Sequence, residues 1–179
     1  MNEQSSRIRR IAAGAVIGAA YAALTMALAP ISYGAVQFRI SEALCILPFF
    51  LPFTAWGLFA GCAVANILTG NIFDILFGSL ATLFAALLTA RLGRGAHTVP
   101  RQLLACFMPV IFNAVIVGAV ITAAYEGQNI FRHFGLYLLN AGSVGLGEAA
   151  VLYLIGFPLM RTLPGMKFFR DWLDRFSQE

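Results

Sequence analysis

Residues 40–69 read ISEALCILPFFLPFTAWGLFAGCAVANILT, and how many times this stretch crosses a membrane decides the architecture of the whole chain. It is apolar almost throughout, but Pro48 and Pro52 interrupt it, and an interior proline removes a helical hydrogen bond. Read as two spans, 40–53 and 55–69 each reach only about 21–23 Å, against a hydrocarbon core of about 30 Å. Read as one bent span, it changes the side on which everything after it emerges.

The basic residues outside the stretch arbitrate. Four plainer spans surround it, at 11–29 (ending at Pro30), 73–91, 101–124 and 134–160. With 40–53 and 55–69 counted separately there are six. With the N-terminus in the cytoplasm, the inner side then holds Arg7, Arg9, Arg10, Arg91, Arg94, Arg101, Arg161, Lys167, Arg170 and Arg175. Only Arg39 and Arg132 fall outside, as the positive-inside rule asks. Merging the two short spans would send the basic tail to the wrong side. The expectation is an all-α membrane protein of six transmembrane helices with both termini cytoplasmic. Residues 1–10 form a cytoplasmic N-terminal segment, 11–160 the membrane domain, and 161–179 an amphipathic helix on the cytoplasmic membrane surface. In that last helix Phe168, Phe169, Trp172, Leu173 and Phe176 share one face.

Composition agrees. The chain of 179 residues is 60% hydrophobic and 11% charged, with 16 Phe, where a soluble domain carries about 25% charged residues. That leaves no room for a soluble catalytic module. The net charge of +4 lies in short clusters between apolar segments, the place of topology signals rather than of a nucleic-acid footprint. Cys45, Cys62 and Cys106 sit inside apolar segments without CxxC or Cys/His spacing, which points to buried thiols and to neither a disulfide nor a metal. Arg7, Arg9 and Arg10 before an apolar run imitate a signal peptide. The run exceeds an h-region of about 7–15 residues, and Pro30 follows the one Ala-Leu-Ala site, so a retained first helix is expected.

Charged and amide side chains are costly in lipid, so each needs a reason. On this topology Arg39 and Glu42 stand at the outer start of the second span. Asn66 lies near the outer end of the third and Asp74 at the outer start of the fourth. Asn113 and Glu148 are near the midplane in the fifth and sixth, with Asn140 above Glu148. All seven lie between the midplane and the outer surface. That bias predicts a polar pocket open to the outside and closed below by an apolar plug, suited to a small polar solute. A continuous ion path would need polar lining in the inner half as well. Structural alternatives stand beside this reading. Arg39 and Glu42, three apart, can pair with each other; Asn66 and Asp74 can cap the turn Thr69-Gly70-Asn71 and the helix after it; Asn113 can hold helices together. Glu148, in SVGLGEAAVL, has no cation at helical spacing, so its carboxylate needs another helix, a proton or a ligand.

In the first span Ala15, Ala19, Ala23 and Ala27 recur at every fourth place, and Gly14, Gly18 and Ala22 are expected to widen that strip. Helices in lipid associate through close packing of small residues. The strip either packs within the domain or offers a flat face to a partner helix.

Three stretches carry a resemblance: YAALTMALAPISYGAVQFRISEALCILPFF (21–50), GCAVANILTGNIFDILFGSLATLFAALLTARLG (61–93) and VGLGEAAVLYLIGFPL (144–159). Together they resemble the QueT family among the substrate-binding S components of energy-coupling factor (ECF) transporters. The likeness runs over 11–160 and is most specific at Gln37 to Leu44, Asn66 to Gly78, and Gly147-Glu148. It implies a protein of the cell membrane, not an enzyme, with no cofactor. Such an S component binds a queuosine precursor, a 7-deazaguanine base, from outside. It then docks on a module of one transmembrane coupling protein and two cytoplasmic ATPases, with the Ala15–Ala27 ladder as the docking face. The chain carries no GxxxxGK[ST] phosphate loop, so power must come from those partners.

The implied solute also suits the polar residues. Glu148 can accept two of its N–H groups, and Asn113 or Asn140 can serve its carbonyl. Asp74 or Glu42 can neutralise an aminomethyl cation, and Arg39 can order a lid through Glu42. Rival readings are an S component for another vitamin-like solute, a small homo-oligomeric channel lined by the Ala/Gly strip, and an intramembrane enzyme. The last lacks both HExxH and GxSxG.

Overall fold

A computed structural model describes residues 3–33 and 37–177. Residues 34–36 of the link after the first span, and residues 1–2 and 178–179 of the expected terminal segments, lie outside the described residues. Every regular element among the described residues is helical. Four helical runs are long and apolar enough to cross a membrane: Gln4–Ala27, Asp74–Gly93, Val99–Tyr125 and Phe134–Gly165. Ile40–Phe49 and Thr54–Thr69 are apolar but shorter.

The decisive stretch forms two separate elements. Ile40–Phe49 winds as a 3₁₀ helix with Pro48 inside it. The chain then turns at Leu51–Phe53, where Leu51 O accepts both the Thr54 N–H at 3.0 Å and the Thr54 hydroxyl at 2.7 Å. The next helix, α3, runs Thr54–Asn66 and tightens into the 3₁₀ turn Ile67–Thr69, ending at Gly70 with a left-handed φ of 65°. A ten-residue 3₁₀ run is unusual, because its hydrogen bonds are poorer than those of an α-helix. Here tertiary burial sustains it: Ser41, Glu42, Ala43, Cys45, Ile46, Leu47, Pro48 and Phe49 are all buried.

The remaining elements surround that tight helix. They are α1 (Glu3–Ala27), α2 (Ala29–Ser32), α4 (Ser79–Gly93), α5 (Val99–Val120), α6 (Phe134–Val151), α7 (Phe157–Thr162) and α8 (Lys167–Ser177). π-helical turns at Asp74–Gly78, Ile121–Tyr125 and Leu152–Gly156 extend α4, α5 and α6. The 3₁₀ helix touches α1, α3, α4, α5, α6 and α7, so it is the centre of the molecule. Pro30 follows the end of the first span at Ala27 by three residues. It sits in the first turn of α2, where its missing N–H costs nothing. At the other end, α1 begins at Glu3 and takes in residues 3–10.

The deepest helix contact is between α1 and α3. A Cβ at Gly18 would stand 2.3 Å from Gly57 O, and one at Gly61 2.2 Å from Gly18 O. Gly14 and Gly18 therefore meet Gly57 and Gly61 backbone to backbone, the approach that a small-xxx-small pattern permits. This corrects the expected strip on the first span. Gly14, Gly18 and Ala22 face inward with Ile17, Tyr21 and Thr25, whereas Ala15, Ala19, Ala23 and Ala27 are all exposed. The two rows lie about 100° apart on the helix and have opposite surroundings.

The terminal helix α8 packs on the molecule as well as presenting a surface. Phe169 lies against Phe50, and Phe176 against Phe53, with ring centroids 5.5 and 4.9 Å apart. Arg10 Nη2 donates to the Phe176 carbonyl at 3.4 Å. Of the apolar face read from the sequence, Phe168 stays 81% exposed.

Candidate functional site

Beside the 3₁₀ helix the fold collects the buried charged side chains. Among the described residues these are Arg39, Glu42, Asp74 and Glu148, exposed by 2%, 0%, 4% and 3%. Arg39 immediately precedes the 3₁₀ helix and Glu42 lies in its first turn. Asp74 opens the π turn that leads into α4, and Glu148 lies in α6 beside Gly147. Asn66, the last residue of α3, and Asn113, in the middle of α5, are buried with them.

Two connected groups emerge. In the first, Asn113 Nδ2 donates to Glu148 Oε1 at 2.9 Å, joining α5 to α6. In the second, three donors converge on the Cys62 sulfur: Thr82 Oγ1 at 3.3 Å, Asn66 Nδ2 at 3.5 Å and Arg39 Nη1 at 3.9 Å. Asn66 Nδ2 also bridges the Gly70 turn to the Asp74 carbonyl at 3.1 Å. Gly78 makes room for this, since a Cβ there would sit 2.8 Å from Asn66 Nδ2 and 3.1 Å from Asp74 Oδ1. The two groups meet through the backbone, since Gly147 beside Glu148 packs on the carbonyl of Gln37, two residues before Arg39.

The hydrogen bonding of this cluster is incomplete in one consistent way. Arg39 Nε and Nη2, Asn66 Oδ1, Asn113 Oδ1 and Glu148 Oε2 are buried and have no partner within the protein. A buried polar atom left unpaired costs about 1–3 kcal/mol, and more when it is charged. Such atoms are rare in native structures. Here Arg39, Asn66, Asn113 and Glu148 each keep at least one such atom.

The structural alternatives resolve residue by residue. Glu42 is not engaged by Arg39: its carboxylate accepts from the Tyr21 hydroxyl and, at 3.0 Å, from the Cys45 thiol. Neither Asn66 nor Asp74 caps a helix with its side chain. Asn113 does join helices, yet its carbonyl oxygen remains open. Asn140 stands apart. Its amide donates at 3.0 Å to both Thr122 and Glu126, tying the ends of α5 and α6 together, and eight residues of helix, about 12 Å, separate it from Glu148.

The sequence reading expected an open pocket, but the cluster is covered. Tyr33 donates to Ala65 O at 2.8 Å, and its ring stands 5.4 Å from the Arg39 guanidinium carbon. The Gln37 carbonyl presses on Gly147, where a Cβ would come within 2.2 Å of it. Two apolar cavities flank the cluster instead. One of about 490 Å³ is lined by residues including Phe73, Phe77, Val115, Ala119 and Tyr137. The other, about 270 Å³, lies between Phe38, Ile40, Val151 and Leu154.

Sequence reasoning missed Tyr21, Cys62, Thr82, Tyr33 and Tyr125, the last of which donates to Asp74 Oδ2 at 3.4 Å. Two had a signal. Tyr21 follows Gly14, Ile17 and Gly18 on the inward face of α1, and Cys62 lies one helical turn before Asn66.

Comparison with known proteins agrees with the membrane reading. The profile of the QueT transporter family matches residues 11–164. The chain is similar to the "Queuosine precursor transporter QueT" of Lactococcus lactis subsp. cremoris (strain MG1363), 32% identical over 149 residues, covering 80% of this chain and 85% of that protein. No solved structure matches it.

Proposed function

The chain belongs to the QueT transporter family, and from that premise we propose that this multi-pass membrane protein captures a queuosine precursor from outside the cell, as the S component of an ECF-type importer. The observation that carries the cargo is the set of unpartnered atoms. Glu148 Oε2, Asn113 Oδ1 and Asn66 Oδ1 are acceptors without donors, while Arg39 Nε and Nη2 are donors without an acceptor. A 7-deazaguanine offers the complement, with ring and exocyclic N–H groups and one carbonyl oxygen. The carbonyl is assigned to Arg39, because its Nε and Nη2 are donors left without any acceptor. Tyr33 and Gln37 then act as the cover that must lift for entry.

The importer reading rests on the arrangement around this site. With six spans and both ends cytoplasmic, ten of the twelve Lys and Arg residues lie on the inner side, and the cluster lies toward the outer half. The exposed Ala15–Ala27 row is the face to which a coupling protein would dock, with two ATPases beneath it. The residue segments keep their sequence-based roles: 11–160 as membrane domain, and 161–179 at the cytoplasmic surface.

The test is a calorimetric titration of the purified protein with guanine-type and 7-deazaguanine bases and, in parallel, with common vitamins. Saturable binding confined to the 7-deazaguanines is the expected result. Binding of a vitamin and of no base would transfer the site to another cargo. Recovery of a coupling protein and ATPases on purification from its own membranes, rather than a homo-oligomer, supports the importer over a channel.

A further inference from the structure

A saturated polar network lies directly beside the unsaturated one. Both oxygens of Glu42 are engaged within the protein, by the Tyr21 hydroxyl and, at 3.0 Å, by the Cys45 thiol, whereas Glu148 Oε2 has no partner. One turn further along α1, the Thr25 hydroxyl donates to the Tyr21 carbonyl at 2.9 Å and shares a second hydrogen bond, of 2.6 Å, with the Ser41 hydroxyl. Tyr21, Thr25, Ser41 and Glu42 are all fully buried. Two side-chain ties, on consecutive turns of one face of α1, therefore hold the first turn of the 3₁₀ helix. A buried network in which every member is satisfied is rigid, and the low dielectric around it makes each bond costly to lose.

Arg39 hangs from that turn. Its carbonyl accepts the Glu42 N–H at 2.9 Å, and its own backbone, with ψ at 86°, has already left the helix. Its side chain is loosely held by comparison. Nη1 reaches the Cys62 sulfur only at 3.9 Å, the Tyr33 ring stands 5.4 Å from the guanidinium carbon, and Nε and Nη2 have no partner. A guanidinium with so few contacts of its own takes its place from its backbone, and the next residues to be fixed along that backbone are Ser41 and Glu42. We infer that Tyr21 and Thr25 are positioning residues, which aim the Arg39 guanidinium into the site through Glu42 and Ser41. Glu42 anchors this link and does not contact the solute. The inference rests on the reading that Arg39 serves the carbonyl of the base. It gives α1 a part in recognition from outside the site, through the face opposite its exposed alanines.

The experiment measures the affinity of the full-length protein for a 7-deazaguanine and for its 6-thio analogue, in wild type, Tyr21→Phe, Thr25→Val, Thr25→Ser and Arg39→Gln. The analogue keeps every N–H group and puts sulfur, a weaker acceptor, in place of the carbonyl oxygen. The wild type is expected to prefer the oxygen base about tenfold, and Arg39→Gln to erase the preference. Tyr21→Phe and Thr25→Val are expected to erase most of it as well, by weakening the oxygen base alone, while Thr25→Ser, which keeps the hydroxyl, retains it. A wild-type ratio in Tyr21→Phe and Thr25→Val, or equal weakening of both bases, would overturn the inference and leave Arg39 its role. No preference in wild type, or one that survives in Arg39→Gln, would overturn the carbonyl assignment and the inference, with the deazaguanine site still standing. Wild-type binding of neither base would overturn all three. If Tyr21→Phe does not fold, the two Thr25 variants decide; if Thr25→Val does not fold either, the ties serve the fold and the inference fails.

Discussion

Glu148→Gln is expected to weaken binding of a 7-deazaguanine by about 1–3 kcal/mol, roughly five- to 150-fold, with little change in the folded state. The asymmetry of the carboxylate makes this a sharp substitution. One oxygen accepts from Asn113 Nδ2 at 2.9 Å, and a glutamine carbonyl can accept the same bond, so the α5–α6 link survives. The other oxygen is the one without a partner. In glutamine that place is taken by an amide N–H, which turns a donor toward the donors of the base. The loss therefore comes from a mispaired polar contact that exists only with ligand present. Calorimetry gives the affinity, and a thermal melt without ligand checks the fold. Unchanged affinity would remove Glu148 from the site, and a large fall in melting temperature without ligand would make it a structural residue.

Six of the seven polar residues picked from the sequence are buried beside the 3₁₀ helix, because the cost of such side chains in an apolar chain is legible from sequence. A charged or amide side chain is so costly in lipid that those present gather where they share partners. What was not legible was the partnering. Arg39 and Glu42 are three residues apart, which suggests a pair on one helix, but Arg39 stands outside the helix with a non-helical ψ of 86°, and Tyr21, from a helix remote in sequence, occupies the Glu42 carboxylate. Asn140 shares a helix with Glu148, yet Thr122 and Glu126 across the hairpin hold it at the far end. The first helix teaches a related lesson. Rows of small residues announce close packing without saying which row meets the protein itself. Only the facing glycines of α3, Gly57 and Gly61, distinguish the Gly14–Gly18 edge from the alanine edge, and those glycines lie in the stretch whose path the prolines had left ambiguous.

Replacing Ala19 and Ala23 together with Leu is expected to abolish uptake in cells while leaving precursor binding by the purified protein unchanged. Both positions are exposed, and the residues between and beside them that enter the core are Ile17, Gly18, Tyr21 and Ala22. Two leucines on the exposed edge lie in lipid as comfortably as any apolar residue, and they do not disturb the Tyr21 bond to Glu42. A partner helix is another matter. Lipid offers no hydrophobic drive for association, so docking depends on backbones coming close across small side chains, and two isobutyl groups in that seam hold the helices apart. The opposite edge of the same helix supplies the contrast. Gly18→Leu would drive its side chain into the Gly57 carbonyl, already 2.3 Å from where a Cβ would stand, and is expected to prevent accumulation of folded protein. If the alanine double variant loses binding along with uptake, the ladder supports the fold; if it imports normally, the partner docks elsewhere.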